Sequence, residues 1–86
     1  MPSKVGATYL TDSDILALWR MMMYKSGTSE EDIDRAVKNN PSKIIDFVKQ
    51  LGLLPLFWEF YINKVDAETV YKIYIEKRRK HAKFTN

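Results

Sequence analysis

The sequence predicts an all-α fold, a compact bundle of four to five short helices, on three observations. Apolar side chains recur at helical spacing from Ile15 through Ile75, no stretch alternates apolar and polar residues as a half-buried strand does, and helix start and stop signals punctuate the chain throughout. A length of 86 residues suits one domain with a single core. Hydrophobic residues make up 45% of the chain, enough apolar surface to offset the entropy of ordering it. A core this small, without a disulfide, gains from any added burial, so a protein partner or a second copy in a homodimer fits its energetics.

Residues 1–10 are expected to form an N-terminal arm, with Val5, Tyr9 and Leu10 available to pack on a helical body spanning 11–76. The first helix starts after Thr11 or Ser13, and Asp12 and Asp14 suit the positive end of its dipole. Ile15, Leu18, Trp19 and Met22 make one buried stripe, and Lys25 and Gly27 close the helix. Thr28-Ser29-Glu30-Glu31 has the pattern of a capping box with Thr28 as cap. The helix it opens is short, with Ile33, Ala36 and Val37 as its apolar face. Asn39-Asn40-Pro41 separates it from a third helix, in which Ile44, Phe47, Val48 and Leu51 repeat the buried stripe before Gly52.

Pro55 is expected to open a fourth helix, 56–63, in which Glu59 is the one charge among Leu56, Phe57, Trp58, Phe60, Tyr61 and Ile62. A helix apolar nearly all round is expected at the centre of a fold, and the others are placed around it. The alternative is a single kinked helix over 41–63, bent near Gly52 and Pro55. Asp66 caps the last helix, expected to run from Ala67 to about Ala82 with Glu68, Lys72 and Glu76 as an exposed charged row. Residues 77–86 form a basic helix extension and tail.

The absence of cysteine removes disulfides, thiolate metal sites and thiol nucleophiles, and fits a reducing compartment. The N-terminus lacks the apolar run of a signal peptide, so a cytoplasmic location is expected. The most apolar stretch, 51–62, holds Gly52, Pro55 and Glu59 and falls short of the ~20 apolar residues that cross a bilayer.

Little here suits catalysis, and no enzyme, cofactor, metal or small-molecule substrate is expected. The single histidine, His81, lies in the basic run, and there is no glycine-rich phosphate loop. Glu30, Glu31, Asp32 and Asp34 cluster without the spaced ligands and central glycine of a calcium loop, and suit the first turn of a helix instead. Glu59 would titrate high if buried among its aromatic neighbours without a basic partner. Met21, Met22 and Met23 spread around a helix and are expected to fill the core, with one exposed.

Two features point outward. The net charge of +3 becomes −2 once Lys77, Arg78, Arg79, Lys80 and Lys83 are set aside, so a mildly acidic body carries a cationic end. Extending the stripe of Val70, Ile73 and Tyr74 lands on Lys77, Arg78 and His81, so the last helix should outrun the body at about Glu76. Those five cations exceed what a helix dipole needs and offer nucleic acid a set of phosphate contacts. Residues 57–72 also resemble half of a helix-turn-helix, with Val65, Val70 and Ile73 inward, though Phe60 stands where that motif needs a small residue and Asp66 and Glu68 oppose DNA. Separately, Tyr71 and Ile75 widen the apolar arc of the last helix, and Trp58 and Tyr61 add aromatics with polar tips suited to an interface. The expected function is a small accessory or regulatory module, in the style of phage and mobile-element proteins, docking on a protein through these four residues. Nucleic-acid binding through the basic end is the alternative.

Overall fold

Thr11 and Asp14 start the first helix by satisfying each other. The Asp14 backbone N–H donates to the Thr11 hydroxyl and the Thr11 N–H to the Asp14 carboxylate, both at 3.1 Å. The structure, a computed structural model, describes residues 10–85, with side chains described as far as His81. Its five helices are α1 (Asp12–Lys25), α2 (Glu30–Asn39), α3 (Pro41–Gln50), α4 (Leu54–Tyr61) and α5 (Ala67–Thr85), with no strand among the described residues. The predicted arm lies outside the described residues except for Leu10, which packs partly buried against the core.

Helices α1, α3 and α4 end by the same device, a left-handed residue that turns two N–H groups back onto the last carbonyls. After α1, Gly27 (φ 105°) donates to the Tyr24 carbonyl and Thr28 to that of Met23. After α3, Gly52 (φ 69°) and Leu53 donate to Lys49 and Val48, and after α4, Asn63 (φ 66°) and Lys64 donate to Phe60 and Glu59. Because Thr28 belongs to the closure of α1, it does not cap α2 as its sequence pattern suggested. Ser29 does, its hydroxyl accepting the Asp32 N–H at 3.2 Å. Asn40 separates α2 from α3 without a side-chain cap, and Pro41 follows in the first turn of α3.

The closure at Gly52 also resolves residues 41–63 into two helices rather than one kinked helix. Helix α4 begins at Leu54, two residues before the predicted start, because Pro55 fits inside a first turn where no N–H partner is needed. Asp66 caps α5, accepting the Thr69 N–H at 3.1 Å. Along its exposed side, Glu68 and Lys72 approach to 4.0 Å and Glu76 and Lys80 to 3.8 Å.

The predicted stripe of α1 is buried in full: Ile15, Leu18, Trp19 and Met22. On α3 the buried line runs through Ile45 and Val48 to Leu51, while Ile44 and Phe47 stay half-buried at its flank. Phe57 and Phe60 of α4 and Ala67, Val70 and Tyr74 of α5 complete the core with Ile33 and Leu53. The helix at the centre is α1, which packs against all four others. This corrects the expectation that α4 would be central. Helix α4 packs substantially on α1 and α5 alone, and Phe57 and Phe60, three residues apart, occupy that one face. A polar link joins α1 to α5 inside: the Trp19 indole N–H donates to the Tyr74 hydroxyl at 3.3 Å. Among the described residues no buried side-chain nitrogen or oxygen lacks a partner.

Candidate protein-docking surfaces

Turning Phe57 and Phe60 inward carries Trp58 and Tyr61 to the neighbouring line of α4. Trp58 is half-buried and Tyr61 is 53% exposed, with their rings 5.5 Å apart. Ile62, just past the helix, is 41% exposed. Sequence reasoning missed Ile62 because an apolar residue continuing an apolar run looks like core. The signal against that lay in Asn63, whose left-handed turn ends the helix one residue later. On α5, Tyr71 and Ile75 are half-buried, one turn apart, and share a shallow depression with Lys72, Glu76 and Arg79. The four predicted docking residues thus form two pairs, one on each of two packed helices, and none is fully buried.

The basic end of α5 is arranged differently from its sequence expectation. Successive residues of a helix are about 100° apart, so Lys77, Arg78, Arg79 and Lys80 point around the axis rather than along one stripe. Lys80 faces Glu76, and Arg79 borders the depression beside Tyr71. The Arg78 guanidinium lies 5.6 Å from the Tyr74 ring centre and 5.8 Å from that of Phe47, against which His81 also packs edge-on at 5.8 Å. The body therefore stays in touch with α5 as far as His81, beyond the predicted departure at Glu76. The side chain of Lys83 lies outside the described residues. At the helix-turn-helix positions, Val70 is buried and Val65 and Ile73 are half-buried, with Phe60 itself in the core.

The remaining candidates take structural positions. Glu59 lies exposed on α4. Met22 is buried, Met23 half-buried and Met21 47% exposed. Asp32 pairs with Arg35 and Asp34 with Arg20. No group of three histidine or acidic side chains among the described residues could hold a metal ion. No helix among them is long and apolar enough to cross a membrane. The Asp66 carboxyl is held below the usual aspartate range by hydrogen bonds from the Thr69 side chain first and the Thr69 backbone N–H second.

One surface was not anticipated at all. Side chains from α1, α2, α3 and α5 line an open, mostly apolar groove of about 520 Å³. Trp19, Ile44, Phe47 and Tyr74 supply its apolar walls, while Asn39, Asn40, Lys43 and Arg78 stand among its polar members. No protein-family model, curated protein or solved structure matches this chain.

Proposed function

We propose that the chain is a small non-enzymatic interaction module that docks on a protein partner through the α4–α5 side, using Trp58, Tyr61, Tyr71 and Ile75, with Ile62 added to the set. The observation that carries this reading is the exposure of Tyr61 and Ile62, 53% and 41%, at the end of a helix with one charge in eight residues. Water-facing apolar area of this kind is released from solvent when a partner covers it. A tyrosine beside a tryptophan adds rigid contact area and polar tips, the composition of interface anchors. The division of Lys77, Arg78, Arg79 and Lys80 around the axis of α5 weighs against the alternative, in which the basic end tracks a phosphate backbone.

Affinity capture from the source cell with the intact chain, with and without nuclease, tests the proposal. The partner is expected to survive nuclease and to be lost when Tyr61→Ala is combined with Ile62→Ser. An anchor residue at an interface centre is worth about 2 kcal/mol, close to a 30-fold change in affinity. Both sites are exposed, so the variant's melting temperature should stay near wild type. Capture that depends on nucleic acid, or that ignores both this variant and Tyr71→Ala, rejects the proposal.

A further inference from the structure

The groove across α1, α2, α3 and α5 differs in its charge from three other depressions of the surface. Those around Tyr24, Gln50 and Tyr71 each include a carboxylate, from Glu30 and Asp34, from Asp46, and from Glu76. The groove has none and carries Lys43, which it shares with the depression around Gln50, and Arg78. Neither cation forms an ion pair among the described residues, although Arg20, Arg35, Lys49, Lys72 and Lys80 all do. Arg78 is also held in place, its guanidinium set over Phe47 and Tyr74, so it loses little freedom on meeting an anion. Asn40 makes no side-chain cap to α3, which leaves its amide available at the rim.

We infer that this groove receives an acidic amphipathic segment of another protein, its apolar side chains against Ile44 and Phe47 and its carboxylates toward Lys43 and Arg78. An amphipathic helix laid in an apolar groove is a recurrent mode of peptide recognition, and carboxylates match an arginine fork in two hydrogen bonds. A nucleic-acid strand fits less well. Trp19 and Tyr74 are only 6% and 5% exposed, and the half-buried Phe47 has Arg78 over one face, so the groove offers an apolar contact but no row of open rings for successive bases. A second copy of this chain fits less well too. Its acidic helix, α2, turns its apolar residues Ile33, Ala36 and Val37 onto its own core and has none left to insert. The surface is separate from Tyr61 and Ile62, so the inference stands or falls independently of the docking face on α4.

Selection of random 12-residue peptides displayed on yeast against the intact protein tests it. The expected peptides combine aromatic or aliphatic anchors with at least two carboxylates, and shift the amide resonances of Ala36, Asn39, Ile44 and Phe47. Lys43→Glu should weaken them at least tenfold, and Asn39→Glu on the α2 rim should do the same, while Tyr61→Ala leaves them unchanged. Lys43 and Asn39 are exposed, and circular-dichroism melts of both variants confirm folding. Failure to select any peptide, selection of neutral or basic ones, or binding indifferent to both charge reversals overturns the inference. So does a 20-nucleotide oligothymidylate that moves the same resonances, or self-association abolished by Lys43→Glu.

Discussion

Asp66 shows how much one side chain settles locally. Its carboxylate accepts hydrogen bonds from Thr69 and caps α5, and those bonds favour the ionised form. A carboxyl whose value is depressed by folding adds stability above the unfolded value, near pH 4, and loses it as pH falls through the folded value. Asn in its place keeps the cap but not the charge. Urea titrations should therefore find wild type more stable than Asp66→Asn at pH 7, with the gap narrowing as pH falls below about 4. A gap that does not narrow as pH falls below about 4 would assign the effect to shape rather than ionisation.

Among the elements, the three closures explain why such short helices hold their lengths. Each satisfies two carbonyls that would otherwise be left at a helix end, and each needs one residue with positive φ. A side chain at Gly52 would meet nothing within 4 Å, so Gly52→Ala tests the backbone alone. It should cost about 1 kcal/mol, the usual penalty for a left-handed alanine, read as a lower urea midpoint with unchanged slope. The ends at Gly27 and Gly52 were legible in the sequence because glycine has few other reasons to interrupt an apolar period, whereas Asn63 reads equally well as the last residue of its helix. The stripe of α1 was legible for a related reason, since all four of its positions meet a neighbour. Helix α4 was not. An apolar side can face another helix or water, and a helix's own residues do not say which. Ile45 replaced Ile44 in the buried line of α3 for the same cause: Ile44 turns to the groove, whose other walls come from distant helices. The sequence offers Arg78 as a phosphate contact and gives no sign that α3 sets Phe47 beside its guanidinium.

For the molecule as a whole, cohesion runs through α1. Met22 is fully buried on the helix that touches every other, so its contacts cannot be replaced by a local adjustment. Met22→Ala should cost about 2–5 kcal/mol, against a total near 5–15 kcal/mol for small domains, and lower the calorimetric melting temperature by more than 10 °C. A loss below 1 kcal/mol would mean that the core repacks freely and that α1 is not its centre. The same arrangement leaves the proposed docking face to the outer helices α4 and α5, while the groove takes Trp19 from the hub itself.

Trp19 and Tyr74 meet across a sequence separation of 55 residues. Synthesis delivers α1 well before α5, so the part of its apolar stripe that α5 covers stays open until that helix has left the ribosome. Nascent chains stalled before that point would show greasy surface to chaperones and proteases.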